Sequence, residues 1–299
     1  MPLTFINLKF QVSGPVVFGS FSGFASRGLF YELVRRVDEG RAEGLHSLKR
    51  LSPFSSTPII QLAPKGPKIV YRNISQDALY AVRFTIFDGR LTKLVLDALL
   101  QEGEPLRLID SEIKIVDVSV LHEEYSRLFE EAKPVKRFMV DFITPTFFRF
   151  SPIITSRMFP SRMAAIGVSK LRLEKARRFH PVPEPVLMMR SLTRLWKAFS
   201  DRPFNYLGYL SWISSMGVSL AGYPSGIRTR RLYEHITTRK FVVGFVGEVN
   251  FSIPEDLYVE KWARITDALL RFAEYSNVGG GRTAGFGMVK YLPKEYYSS

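Results

Sequence analysis

The 299-residue chain has no cysteine, which removes disulfides, thiolate zinc sites and cysteine nucleophiles from consideration. A reducing cytoplasm is compatible with that absence, and the chain is read as cytoplasmic. It has no run of about 18 apolar residues, so no membrane span is expected. It also lacks a basic segment leading into an apolar stretch and a small-residue cleavage site, so no signal peptide is expected. There is no Gly-x-Ser-x-Gly elbow and no Gly-Lys-Ser/Thr phosphate loop. No His, Asp and Glu residues cluster at metal-ligand spacing, so neither a metal nor a cofactor is expected. Negative charge is also scarce. Against 42 Lys and Arg stand 28 Asp and Glu, a net charge of +14 that favours a polyanionic partner, nucleic acid before a membrane surface.

What is present is enough for a large core, since 46% of the residues are hydrophobic. Leu3 to Val12 reads as a strand, and Arg27 to Asp38 as a helix capped by Ser26 and ended by Gly40 and Gly44. A loop from Leu45 leads to a short strand ending at Ile60. Strands follow at Lys68–Tyr71 and Leu79–Phe87, a helix at Leu91–Leu100, and one or two strands over Leu106–Leu121. Strand, helix, strand, strand, helix, strand is the order of a ferredoxin-like unit. After a linker at Glu130–Pro134, a second cycle opens with Val135–Ile143. It continues through helices at Val186–Phe199 and Phe204–Met216, strands at Val218–Ile227 and Lys240–Ile253, and an amphipathic helix at Pro254–Tyr275. A last strand spans Gly285–Tyr291. The expected architecture is α+β: two tandem ferredoxin-like domains with antiparallel sheets, residues 1–130 and 135–299. The second carries a helical insertion at about 144–217 and a glycine-rich loop at 277–287.

That loop is the most unusual stretch. Gly279, Gly280, Gly281, Gly285 and Gly287 surround Arg282 and Thr283. Such a loop is either a tight turn feeding a closing strand or a concavity of exposed amides that binds anions, with Arg282 adding charge. Phe286 either offers a face for a base to stack on or points into the core. The four histidines differ in promise. His46 lies in a basic loop shortly after the helix bearing Tyr31. An imidazole there can take a proton from a ribose 2′-hydroxyl or give one to a leaving 5′-oxygen. His122 reads as solvated, and His180 and His235 sit in basic segments better suited to RNA contact than to proton transfer. Basic clusters at Lys170–Arg178, at Arg228, Arg230 and Arg231, at Arg239-Lys240 and at Lys49-Arg50 have aromatic neighbours. That combination fits contact with phosphates and stacked bases.

The segment Gly279-Gly-Gly-Arg-Thr-Ala-Gly-Phe-Gly-Met-Val289, after Val243-Gly-Phe-Val-Gly-Glu-Val249 and an amphipathic helix, resembles the C-terminal signature of CRISPR repeat-processing endoribonucleases of the RAMP superfamily. Asp141-Phe-Ile-Thr-Pro-Thr146 is similar to the opening of that family's second half. Gly28-Leu-Phe-Tyr31, Leu45-His46, Lys49 and Pro53-Phe-Ser55 are similar to its active-site region. Asn277 stands where the family pattern has its first glycine, and asparagine tolerates similar backbone geometry. The resemblance implies two ferredoxin-like domains and metal-independent cleavage of CRISPR precursor RNA within its repeats, leaving a 2′,3′-cyclic phosphate and a 5′-hydroxyl. It implies His46 as general base or acid, Tyr31 as an orienting group, and Lys49 or Arg50 as the third member. The remaining RNA contacts would come from Arg228, Arg230, Arg231 and the glycine loop. The partner would be CRISPR repeat RNA, with effector-complex subunits as further partners and a monomer or homodimer as the unit. The alternative is a non-catalytic RNA-binding subunit of an effector complex on the same fold.

Overall fold

A computed structural model describes residues 2–47, 51–101, 105–150, 178–235 and 240–297. The first half runs β1 (Leu3–Val12), β2 (Val16–Val17), α1 (Gly23–Val37), α2 (Glu39–Ser47), β3 (Phe54–Ser56), β4 (Ile60–Ala63), β5 (Gly66–Ile69), β6 (Asn73–Ile74) and β7 (Tyr80–Ile86). It ends with α3 (Gly89–Leu100), β8 (Leu106–Leu108), β9 (Ser111–Glu123) and α4 (Tyr125–Glu130). The second half runs β10 (Val135–Thr146), β11 (Phe148–Phe150), β12 (Arg178–His180), α5 (Pro185–Phe199), α6 (Tyr206–Ser214), β13 (Ser219–Gly222), β14 (Arg228–His235) and β15 (Lys240–Ser252). A short 3-10 turn at Glu255–Leu257, α7 (Glu260–Ser276), a second turn at Arg282–Ala284 and β16 (Val289–Tyr296) complete it.

Both sheets have the antiparallel ferredoxin-like strand order. In the first, β9, β1, β7 and β4 lie side by side, with β3 also on β7; in the second the order is β16, β10, β15 and β13, with β14 also on β15. In each, the first strand is central, flanked by the last and third. The two tandem ferredoxin-like units expected from the order of elements are therefore present. Helices α5 and α6 fill the crossover between β10 and β13.

Burial explains why the alternation in β1 is so dense. Ile6, Leu8 and Phe10 pack with Leu29, Phe30 and Leu33 of α1 and Leu91 and Val95 of α3. On the opposite face, Leu3 and Phe5 join the core of the second half. α3 starts at Asp88, whose carboxylate accepts the Leu91 N–H at 3.0 Å, and α5 at Glu184, which accepts from Val186 and Leu187. α1 begins four residues earlier than its apolar stripe implied, at Gly23. The chain through Gly40 and Gly44 is helical, contrary to the expected stop: Asp38 caps it by accepting from Arg41 N–H at 2.8 Å, and Ala42 and Leu45 are buried. The expected strand Val218–Ile227 is instead the short β13. β14 lies further on, in the basic stretch. The last strand begins only at Val289, because the residues before it form the turn Arg282–Ala284.

α7 is buried on more than one face because it lies between its own sheet and the first half. Its Asp267 is fully buried and accepts from Tyr291 Oη at 2.6 Å, Arg271 Nε at 2.8 Å and the backbone N–H of Lys133 at 3.0 Å. One carboxylate thus ties α7 to the last strand and to the connection between the halves. Phe5 lies 4.8 Å from Tyr275, ring centre to ring centre, and Arg83 Nη2 donates to the Glu274 carbonyl at 2.8 Å.

Two glycines give opposite expectations. Gly285 has φ +71°, and a Cβ there would sit 2.5 Å from the Pro58 nitrogen, so Gly285→Ala should lower stability by at least about 1–3 kcal/mol. Gly28 is helical, with open space where its Cβ would go, so Gly28→Ala should stabilise by about 0.4–1 kcal/mol. Thermal or urea unfolding of both variants checks the pair of signs.

Candidate nucleic-acid interface

The glycine loop is wedged between the two halves. Its backbone is held by Ser56 Oγ donating to the Thr283 carbonyl at 2.8 Å and by Asn277 Nδ2 donating to the Ser56 carbonyl at 2.9 Å. Gly279 N–H donates to Ser191 Oγ at 3.0 Å, and Gly280 N–H to the Phe147 carbonyl at 2.8 Å. The amides of Ala284, Gly285, Phe286 and Gly287 are bonded to backbone carbonyls as well. These bonds use up much of the amide set that an anion-binding concavity would need. Asn277, at φ +57°, adopts the positive φ its place in the pattern demands.

The side chains follow the backbone inward. Phe286 takes the core alternative: it is 1% exposed and packs edge-on to Phe21 and Phe147, at 5.1 and 5.6 Å. Arg282 is buried too. Its guanidinium donates to the carbonyls of Ser276 at 3.2 Å and Ser52 at 3.3 Å and lies 5.8 Å from the Phe87 ring centre. Burial pushes its pKa down to about 10, so it remains charged at neutral pH. The expected ionic contact from Arg282, and the stacking expected of Phe286, therefore give way to packing roles. Gly285 and Gly287 are buried as well. Gly279, Gly280, Gly281 and Thr283 are half-buried at the margin.

The structure brings Tyr31 and His46 together. The rings meet edge to face at 5.6 Å, with His46 exposed in the last turn of α2 and Tyr31 half-buried against Phe54. Desolvation raises the Tyr31 phenol above its ordinary pKa, against an opposing pull from Arg27. It is therefore a hydrogen-bond donor, not a base, at any working pH. Lys49 and Arg50 lie outside the described residues, as does Lys170–Arg177.

Arg228, Arg230 and Arg231 are exposed on β14, one arm of a hairpin with β15. The arm alternates: Leu232 is buried beside Phe21 and Phe286, whereas Arg231 and Tyr233 face the other way. Arg231 lies 4.6 Å from the centre of the Phe241 ring, and Arg230 lies 5.0 Å from that of Tyr71 in the first half. The hairpin is tied across by Ser20, whose Oγ accepts the Tyr233 N–H and donates to the Tyr233 carbonyl, both at 2.7 Å.

A run of aromatic and basic side chains joins the two groups. His46 packs on Tyr31, whose phenol feels the charge of Arg27, and the Arg27 guanidinium lies 5.7 Å from the Phe24 ring centre. The run continues through Phe21 and Tyr71 to Arg230. Arg27, Phe24 and Tyr71 were not singled out in the sequence, because each sits in an ordinary strand or helix context. A cleft of about 820 Å³ opens along α1, lined by Phe24, Glu32, Arg36, Arg107 and Tyr233 among others. Among the described residues, no three His, Asp or Glu side chains converge as metal ligands, and no helix is long and apolar enough to cross a membrane.

Comparison with known proteins is consistent with this geometry. The sequence model of the family described as CRISPR-associated endoribonuclease Cas6 matches residues 140–289. A Cas6 product complex superposes with a TM-score of 0.71 at 23% identity, covering 98% of this chain and 100% of the other. Thermus thermophilus Cas6 gives 0.64 at 20% identity, covering 97% and 98%. The product of a Cas6-related gene from Pyrococcus furiosus gives 0.54 at 13% identity, covering 98% and 100%. At these identities the likeness is one of fold. No curated protein matches the sequence.

The Tyr31 phenol makes no hydrogen bond among the described residues. Tyr31→Phe should therefore change stability by less than about 0.5 kcal/mol, while Tyr31→Ala should cost roughly 1.5–3 kcal/mol through lost packing on His46 and Phe54. Urea unfolding of the two variants distinguishes a ring held for packing from a phenol kept for another purpose.

Proposed function

The chain belongs to the family of CRISPR-associated Cas6 endoribonucleases, and on that premise we propose that it cuts CRISPR precursor RNA within the repeat at the Tyr31–His46 pair. The observation that carries this reading is the pair itself: an exposed imidazole against a phenol on adjoining helices, at one end of a run of arginine and aromatic side chains.

The chemistry proposed needs no metal. The ribose 2′-oxygen attacks the adjacent phosphorus as the bond from phosphorus to the 5′-oxygen breaks. The products are a 2′,3′-cyclic phosphate and a 5′-hydroxyl. His46 takes the proton of the 2′-hydroxyl or supplies the one that the leaving 5′-oxygen needs. Tyr31, held protonated, donates to the 2′-oxygen or to a non-bridging phosphate oxygen. Alignment of the 2′-oxygen with the leaving group supplies much of the acceleration. Lys49 or Arg50, three and four residues beyond His46, would neutralise charge building on the phosphorane.

Binding rests on charge and stacking. The net charge of +14 and the exposed Arg228, Arg230 and Arg231, two of them over aromatic rings, suit a ribose-phosphate strand with unstacked bases. In this reading the margin of the glycine loop, at Gly279 to Gly281 and Thr283, touches the RNA backbone at most, while the rest of the loop holds the halves together.

In a single-turnover assay on a synthetic repeat with EDTA present, the protein should cut at one position. His46→Ala should slow cleavage by about 10²–10⁴-fold with little change in binding. Protection without cleavage would instead identify a subunit that holds a guide. Arg230→Ala should weaken binding and reduce the dependence of log K on log salt by about one. An unchanged salt slope would remove the hairpin from the interface.

A further inference from the structure

The cleft along α1 has a bare floor. Phe24, Gly28, Glu32 and Arg36 line it in one stripe, each a helical turn and about 6 Å along the axis from the next. Gly28 sits in the middle of α1, where glycine costs helix stability relative to alanine. Nothing lies within 4 Å of the place its Cβ would take, so neither a turn nor a close approach requires glycine there. What its bareness provides is room in the cleft. Across from the helix, β8 supplies Arg107, and Ile109 forms the rim at φ +58°, a left-handed conformation that branched side chains resist. Backbone strain of this kind collects where ligands are held. Tyr233 adds aromatic surface from the hairpin.

We propose that this cleft takes one unpaired guanosine of the RNA and reads its base, an inference that rests on the chain being an RNA-binding protein. Glu32 decides the ligand. Its carboxylate is half-buried on the cleft wall, with one oxygen paired to Arg35 at 2.9 Å. A carboxylate repels phosphate and only accepts hydrogen bonds, so in a basic cleft it marks the place of a base edge. Guanine presents two donors side by side there, N1–H and the N2 amino group. Its other edge presents O6 and N7, a pair of acceptors that a guanidinium meets with two donors. Arg36 and Arg107 line the same cleft and have no ion-pair partner among the described residues. Uracil does not suit the site, because carbonyls flank its one N–H and would face the carboxylate. Adenine and cytosine set a ring nitrogen acceptor beside their amino group. A guanine lying over Gly28 has the Phe24 ring beside it for stacking. Tyr31 is one turn beyond Gly28 on α1, which puts the guanosine close to the bond proposed to be cut.

Binding of synthetic repeats in which each guanosine in turn is replaced by inosine, which lacks the N2 amino group, tests this. At one guanosine the replacement should weaken binding by the wild type about tenfold and leave binding by Glu32→Ala unchanged. Gly28→Leu, which fills the cleft, should bind the unmodified repeat more weakly by at least as much, with a thermal midpoint no lower than the wild type's. It should be equally blind to that inosine. An inosine profile shared by the wild type and Glu32→Ala would overturn the proposal, and so would a Gly28→Leu variant that binds as the wild type does. Equilibrium dialysis with guanosine 5′-monophosphate distinguishes the source of the base. Retention by the wild type and not by Gly28→Leu, with no coupled guanosine in the repeat, would assign the cleft to a free nucleotide and overturn its assignment to RNA. Repeat cleavage is read separately: a protein that shows the coupled guanosine yet does not cut would sink the nuclease reading and keep this one.

Discussion

The fold depends on one joint: the last turn of α7 and the glycine loop after it, inserted between the two sheets. Few elements reach both halves, and this one is fixed from each side. Ser55 Oγ donates to the Tyr275 carbonyl, Ser56 Oγ to the Thr283 carbonyl, and Arg83 to the Glu274 carbonyl, all from the first half. From the second half, Phe147 and Pro145 accept from Gly280 and Gly287. Glycine is needed because the approach is between backbones: a Cβ on Gly287 would lie 1.8 Å from the Val278 carbonyl oxygen. Arg282 completes the joint as a buried cation held by backbone carbonyls. Because it stays charged, those carbonyls take the place of water, and a neutral side chain would leave them without a donor.

The joint sets the site without touching it. Gly23, the first residue of α1, abuts the Ala284 carbonyl so closely that its Cβ would lie 2.1 Å from the oxygen. The loop therefore fixes where α1 begins, and α1 carries Tyr31, on which His46 packs. The same small cluster of Phe21, Phe147, Leu232 and Phe286 seats the β14–β15 hairpin and hence its arginines. One wedge thereby positions both the proposed cutting pair and the proposed phosphate-binding arm.

Much of this was legible in the sequence, for identifiable reasons. Both ferredoxin-like units followed from apolar periodicity and turn residues, because long half-buried strands such as β1 and β10 leave strong patterns. Tyr31 and His46 were placed together by resemblance, and the structure seats them ring to ring. The glycine loop was located correctly but was expected to contact RNA, since a concavity for anions and a close backbone joint require the same residue type. Arg282 misled because a guanidinium solvated by carbonyls is indistinguishable in sequence from one facing solvent. β14 was missed because three of its eight residues are arginines, which leave little of the apolar alternation that marks a strand. α2 was missed because two glycines outweighed, in pattern, the buried Ala42 and Leu45.

The central claim is that RNA meets the protein along α1, α2 and the β14–β15 hairpin, while the glycine loop acts as the joint beneath. Hydrogen–deuterium exchange with and without repeat RNA tests it most directly. The account predicts slow exchange at Gly279, Gly280 and Ala284 to Gly287 already in the free protein, unchanged on binding, with new protection on α2 and on residues 228–235. New protection confined to residues 279–287, with none on α2 or the hairpin, would contradict it.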